Sequence, residues 1–465
     1  MRPVRKQRSR LALLLIVGAL AGCEHSSSSR HLVLVVFDTL RADRTSLYGY
    51  QRPTTPFLEE LARESVVYLD VKAPGSWTVP SHASLFTGLW PGDHHAQWGS
   101  MRLDEGFETL AEILSAEGFC TTGLSANALA GPKTGLAQGF DEFRVISGDW
   151  PEKTTKILSA LEDVVEDVKR RNCRLFLFVN LMDAHIPFNS QRHARDFGLR
   201  GPGPVRNARI KWEINDGQRT LDPEQKAQHG AAYDAAVRTL DDAARELVSV
   251  LVERGMAQQT VLVMTSDHGE GLGAHPEIGH SISVWEEQLA VPLLVRRPGD
   301  RNAGKSIAGR RSLVTLTPSL LDWLGVPRPD HLSEAPGIDI EQQPVAADYR
   351  SYFREADRRT NLRMAETYPR LAGHIVDQHV VYCGRYKLRL AANGGVSWFD
   401  LERDPTEQND LAATGDSRAD LAACRQEHRK LLAAGHLTRL GAETPVDDPA
   451  TALDLETLRG LGYVQ

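Results

Sequence analysis

Short runs of consecutive apolar residues alternate, over the first two-thirds of the chain, with longer stretches in which apolar positions recur every three or four residues. The runs at 32–37, 175–179, 261–265 and 292–295 are too short for helices. Their Val, Leu and Phe suit strands buried on both faces of a parallel sheet. The amphipathic stretches at 56–64, 108–117, 153–169 and 224–254 predict helices. Strands alternating with helices predict an α/β sandwich built around a large, mainly parallel sheet. The segment 191–222 is polar and rich in Gly, Pro and Arg, and reads as an excursion above the sheet edge, where substrate-selecting loops sit. A helix at 313–324 is broken by Gly325-Val326-Pro327, and a polar stretch at 331–348 reads as a linker. The remainder, 349–465, is expected to be a smaller α+β domain. Its strand-like runs at 380–390 and 396–401 flank the hairpin signal Asn393-Gly394-Gly395.

The start of the chain follows a different logic. Arg2, Arg5, Lys6, Arg8 and Arg10 precede an apolar stretch at 11–20 that is short for a bilayer span. The stretch ends in Leu20-Ala21-Gly22-Cys23, which resembles a bacterial lipobox. On this reading residues 1–23 are a lipoprotein signal peptide, Cys23 is acylated, and 24–30 are a tether. The protein would then be anchored by lipid in a bacterial cell envelope, on a periplasmic or outer-membrane face. The composition is that of a globular protein, 41% hydrophobic and 25% charged. A formal net charge of -7 gives no support to a nucleic-acid partner. Apart from Cys23, the cysteines at 120, 173, 383 and 424 are scattered without a Cys-x-x-Cys pair. That argues against a thiolate metal site and is compatible with one or two disulfides, which nothing in the sequence requires.

Three segments carry candidate chemistry. Asp38 follows the apolar run at 32–37, so a carboxylate stands at the carboxyl end of a buried strand, where open α/β sheets bind ligands. Alone, such an Asp is more often a turn or helix cap. In Ser76-Trp77-Thr78-Val79-Pro80-Ser81-His82, Pro80 suits a first helical turn and places Thr78 near the positive end of the helix. Threonine is also a good plain N-cap. Asp267 and His268 follow the run at 261–265 and offer an oxygen and an imidazole side by side. His185 and His280 lie in comparable positions, and together these segments suggest a site.

In order, these segments resemble the sulfatase family of the alkaline-phosphatase superfamily. The likeness extends over 32–325 through Asp38-Thr39-Leu40-Arg41-Ala42-Asp43, Tyr48-Gly49-Tyr50, Gly139-Phe140-Asp141 and Trp285-Glu286-Glu287, and closes with Trp398-Phe399-Asp400-Leu401-Glu402-Arg403-Asp404-Pro405. The resemblance implies an alkaline-phosphatase-like sandwich with a catalytic domain at 31–330. It further implies that Asp38, Thr78, Asp267 and His268 hold one divalent metal (Ca, Mn or Zn). Thr78 would be the nucleophile. His82, Asn127, His185 and His280 would contact the non-bridging oxygens or protonate the leaving group.

The departures from the family pattern narrow the chemistry. Thr78-Val79-Pro80-Ser81-His82 stands where typical members carry Cys-x-Pro-Ser-Arg and oxidise the Cys or Ser to formylglycine. Threonine is not a substrate for that oxidation, so no formylglycine is expected. Thr39 replaces the second Asp of an Asp pair, and Asn127 and His280 stand where lysines are expected. The leading expectation is a metal-dependent sulfuric ester hydrolase acting on a sulfated small molecule, glycan or lipid. One alternative is a Thr-nucleophile phosphodiesterase or phosphotransferase on phosphorylated envelope lipids or glycans. The other is a non-catalytic surface binding protein that keeps the fold.

Overall fold

The computed structural model describes residues 31–98, 100–148, 150–188, 192–341, 344–351, 366–413 and 418–441. Cys23, with the proposed signal peptide and tether, lies outside the described residues. Among the described residues no helix is long and apolar enough to cross a membrane.

The first ten strands are β1 (His31–Phe37), β2 (Val66–Lys72), β3 (Phe119–Ser125), β4 (Glu142–Val145), β5 (Arg174–Leu181), β6 (Thr260–Thr265), β7 (Gly271–Leu272), β8 (Ile278–Gly279), β9 (Ala290–Arg296) and β10 (Ser306–Ser312). Eight of them form one sheet in the order β10-β2-β9-β6-β1-β5-β3-β4, while β7 and β8 pair only with each other. The sheet is mainly parallel, as the alternating pattern predicts: β1 lies between β5 and β6, parallel to both. The run at 292–295 is an exception to that expectation, because β9 pairs antiparallel with both β2 and β6. An apolar run reports burial on two faces and says nothing about direction. Helices fall where the periodicity places them, at Pro56–Leu61, Leu110–Ala116, Trp150–Arg171, Pro223–Glu253 and Leu316–Leu324. Thr109 and Glu112 close a capping box on one, Asp222 and Gln225 on another. Gly325, at φ 66°, ends the Leu316–Leu324 helix in the left-handed conformation that glycine adopts without strain.

Among the strands absent from the sequence pattern, β3 carries polar residues inside the fold. β3 reads Phe-Cys-Thr-Thr-Gly-Leu-Ser yet is buried throughout. Tertiary bonds satisfy it, including the Thr121 hydroxyl to the Gly139 carbonyl at 3.0 Å. Cys120 and Cys173 form a disulfide that ties the start of β3 to that of β5.

A second sheet runs antiparallel in the order β11-β12-β13-β14, from β11 (Ala346–Tyr349), β12 (Gln378–Cys383), β13 (Tyr386–Ala391) and β14 (Val396–Asp400). Two boundaries differ from expectation. The run at 380–390 is two strands folded back at Gly384, with φ 57°. The stretch expected as a linker to 348 already contains β11, which pairs with β12. The Arg418–Ala433 helix packs on this sheet and is cross-linked to it by the Cys383–Cys424 disulfide. Trp398, Val381, Leu388 and Leu431 build a small core of its own.

Candidate active site

The carboxyl ends of β1, β3, β5 and β6 lie along one sheet edge, and each delivers a side chain to the same buried place. β1 ends at Phe37, and the Asp38 N–H continues its pairing by donating to the Leu181 carbonyl at 2.8 Å. The chain then turns through Thr39 at φ 62°, a conformation unfavourable for a β-branched residue. The turn is held from three sides. The Thr39 hydroxyl donates to the Ala184 carbonyl (2.8 Å), its N–H donates to Asp267 Oδ1 (3.2 Å), and Leu40 N donates to Ser266 Oγ (2.9 Å). Thr39 therefore serves the turn that aims Asp38.

Asp38 Oδ2 accepts from Asn127 Nδ2 at 2.7 Å and from Asn180 Nδ2 at 3.3 Å. The same Asn127 amide reaches the Thr78 hydroxyl oxygen at 3.2 Å, so one side chain from the end of β3 spans the carboxylate and the threonine. Asn127 Oδ1 accepts from Leu129 N at 2.8 Å, which fixes which end of the amide faces the site. Thr78 is the first residue of the Thr78–Thr87 helix, and Trp77 is its N-cap. Thr78 is thus the first helical residue, not the N-cap weighed for it, and its hydroxyl oxygen faces the Asn127 amide. His82, one turn on, places Nδ1 2.9 Å from the Thr78 carbonyl and 3.5 Å from Asp267 Oδ2. Its ring stands edge-on to Phe86 and Phe178. His82 Nδ1 thus braces the Thr78 backbone, while its buried Nε2 has no hydrogen-bond partner.

Asp267, His268 and Asp38 can bring one ligand atom each within 4.8 Å of one another, and all three are buried. His268 Nδ1 lies 2.9 Å from the Gly269 carbonyl. A carbonyl only accepts, so Nδ1 carries the proton and Nε2 presents a lone pair. That Nε2 sits 3.3 Å from Asp267 Oδ2. Neither atom has a hydrogen-bond partner, and Asp38 Oδ1 has none either. Three oxygen and nitrogen acceptors are therefore buried together without a hydrogen-bond donor among the described residues, an arrangement that a bound cation would complete. Burial pushes the carboxyls of Asp38 and Asp267 up to about 7. These donors, two carboxylates and one imidazole, fit a divalent cation.

His185 and His280 complete the chamber. Their rings lie 4.7 Å apart, and His280 stands 4.6 Å from the ring of His268. His185 Nδ1 is 2.6 Å from the Ile186 carbonyl, and His280 Nδ1 is 2.9 Å from Glu270 Oε1. Burial holds both imidazoles well below their ordinary pKa, that is, neutral. Every sequence-predicted site residue among those described thus converges on one centre. Three residues without an assigned role join them. Asn180 was legible as an amide inside an apolar strand, and Glu270 as the acid after Asp267-His268. Lys211, inside the polar excursion, gave no signal.

A sulfatase family model matches residues 30–326. The chain belongs to the sulfatase family. An ulvan-active sulfatase of Formosa agariphila is 23% identical over 82% of this chain and 76% of its own length. The Delta 4,5-hexuronate-2-O-sulfatase of Bacteroides thetaiotaomicron is 22% identical over 90% of both chains. The phosphonate monoester hydrolase of Agrobacterium radiobacter shares the fold, with a TM-score of 0.65 at 18% identity over 87% of this chain and 95% of its own. Relatives in the family are hydrolases of sulfate or phosphate esters. They depend on a metal, and Asp38, Asp267 and His268 are the group in this member that could hold one.

Proposed function

We propose that this sulfatase-family protein is a metal-dependent hydrolase of sulfate esters in which Thr78 is the nucleophile. The observation that carries the reading is the trio of unpartnered buried atoms on Asp38, Asp267 and His268, joined to the Thr78 hydroxyl through Asn127. Asp38, Asp267, His268 and Thr78 would hold the ion, and Ca, Mn and Zn all suit such donors. Bound there, it would lower the pKa of the threonine hydroxyl and offset charge on the transferred group.

The chain's own residues supply the rest. Asn127 orients the Thr78 oxygen and His82 holds its backbone. Thr78 Oγ, its proton lost to solvent, would attack the ester sulfur as the bond from sulfur to the alcohol oxygen breaks, and His185 or His280 would give the departing oxygen its proton. The arriving anion favours protonation of an imidazole that is otherwise neutral. A threonine ester cannot collapse to an aldehyde, so water must cleave it by a second displacement at sulfur.

Sulfated glycans are the substrate class favoured by the relatives active on ulvan and on hexuronate sulfate. A second reading, hydrolysis of phosphorus esters, is favoured by Thr78 itself, whose chemistry needs no formylglycine. With Cys23 acylated, the enzyme would work at the surface of a bacterial envelope membrane. Cys23→Ser should then abolish labelling by a fatty-acid analogue and release the protein from the membrane fraction.

The test is turnover of nitrophenyl sulfate, phosphate, phosphodiester and phosphonate esters. Thr78→Ala should lower kcat by more than about 10³-fold, the scale on which loss of a nucleophile is felt. Its metal affinity should fall less than that of Asp267→Ala, because Asp38, Asp267 and His268 remain. Retained turnover in Thr78→Ala would remove the threonine from the mechanism.

A further inference from the structure

The positions at which the family pattern places cations are His82, Asn127 and His280 in this chain, and those segments provide no fixed positive charge for a substrate oxyanion. A lysine reaches the chamber from elsewhere. The Ala208–Asn215 helix lies in the polar excursion between β5 and the Pro223–Glu253 helix. Lys211 and Asn215 are four residues apart and share one helical face. Asn215 fixes that face against β8, donating from Nδ2 to the Ile278 carbonyl (2.9 Å) and accepting from Ile278 N at Oδ1 (2.7 Å). Ile278 stands two residues before His280, so the helix and that histidine are held in register.

Lys211 is 2% exposed, and its stem crosses the chain next to His280. A Cβ on Gly279 would fall 2.8 Å from Lys211 Cδ and 3.7 Å from Glu270 Oε1. Glycine at this position, φ 92°, leaves the passage that the lysine fills. A buried ammonium is unfavourable without compensating negative charge. Glu270 provides some, the ammonium stands 4.3 Å from the centroid of the Trp212 ring, and its charge reaches the imidazoles of His185 and His280. Burial draws the Lys211 ammonium down to about 8, with Glu270 opposing.

We infer that Lys211 is a substrate-binding residue for the tetrahedral oxyanion, sulfate or phosphate, carried into the chamber by the Ala208–Asn215 helix. The inference rests on the hydrolase reading for the identity of the chamber. It adds that the positive charge gripping the anion comes from the excursion, and that anion binding and the seating of this helix are coupled. A lysine that merely neutralised Glu270 would matter to stability and leave anion affinity alone.

The test is calorimetric titration of the metal-loaded full chain with inorganic sulfate and inorganic phosphate, for wild type, Lys211→Met and Lys211→Arg. Lys211→Met should retain the metal and lose at least tenfold in affinity for whichever anion the wild type binds, and Lys211→Arg should recover part of it. Equal affinity in Lys211→Met, or a wild type that binds neither anion, overturns the proposal. Should Lys211→Met fail to fold, hydrogen exchange in the wild type decides instead. The anion must slow exchange across residues 208–215, and unchanged rates sink the idea. Failure of the hydrolase reading looks different: anion affinity depends on Lys211, but no ester is turned over.

Discussion

At the seam between the two sheets, Lys387 is wholly buried and lies 2.7 Å from Glu407 Oε1 and 3.0 Å from Glu286 Oε1. Lys72 meets the other oxygen of Glu286 at 2.5 Å and Asp70 at 2.8 Å, and the Tyr382 hydroxyl donates to Glu286 at 2.5 Å. At the catalytic edge, two carboxylates are buried as deeply, and the groups that reach them are amides and neutral imidazoles. The electrostatic outcome follows. Against its burial, the two lysines hold the Glu286 carboxyl well below the ordinary range, whereas burial drives Asp38 and Asp267 up to about 7. The seam is a charge cluster complete within the chain, and its product is the docking of one sheet on the other. The cluster at the candidate site would take its last partner from outside. Buried charge of the same residue types is thus structural in one place and a site in the other, and the accounting of partners separates them.

The largest expected effect tests the structural half of that contrast. Lys387→Met leaves two buried carboxylates facing each other without their shared cation, and should lower stability by about 3–5 kcal/mol, the range for breaking a buried pair from one side. Adding Glu407→Gln should restore part of the loss, because the uncompensated charge goes with it. Neither change should alter metal content per folded chain. Denaturant unfolding and metal analysis read both, and a Lys387→Met protein of wild-type stability would erase the distinction drawn between the clusters.

Removing the metal addresses the other half. An ion that binds only the folded chain contributes about 2.7 kcal/mol when free at a hundredfold over its Kd. Chelation should therefore lower the unfolding free energy by that order in the wild type and leave Asp267→Ala unchanged. A chelator effect of equal size in both proteins would place the ion elsewhere.

How much of this was readable beforehand divides along physical lines. Asp38, Thr78, Asp267 and His268 were legible because each follows an apolar run or opens a helix. Parallel strands all discharge their chain at one edge, so position in the motif already fixes position in space. The α/β layers were legible from periodicity for the same reason. Lys211 was not, since a lysine in a polar loop has no signature until a helix forms and docks on β8. The direction of β9, the turn inside 380–390 and the membership of Ala346–Tyr349 in the small sheet were also hidden. Pairing between distant segments decides each of them, and no local window of sequence contains it. The motif position of His82 says that it lies near Thr78, without saying that its Nδ1 faces the Thr78 carbonyl.

A third test concerns pH, and here the two clusters should differ in sign. In the metal-free protein, Asp38 and Asp267 have folded pKa values of about 7 against an ordinary 3.8. Between those limits the folded chain keeps protons that the unfolded chain has released. Their contribution to stability is therefore complete below about 3.8 and is lost as the pH rises through 7. Glu286, shifted down, contributes in the opposite sense: its share is present at neutral pH and lost only in strong acid. Metal-free wild type should thus lose stability from pH 5 to 8 more steeply than Asp38→Asn/Asp267→Asn, in which this pair no longer titrates. With the ion present the wild-type slope should reverse relative to the variant, because binding needs both carboxylates deprotonated and strengthens as protons leave. Thermal unfolding across that window, with and without chelator, measures the difference directly. Parallel curves for the two metal-free proteins would mean that Asp38 and Asp267 titrate as ordinary carboxyls, and that the catalytic edge is as complete without an ion as the seam is with its lysines.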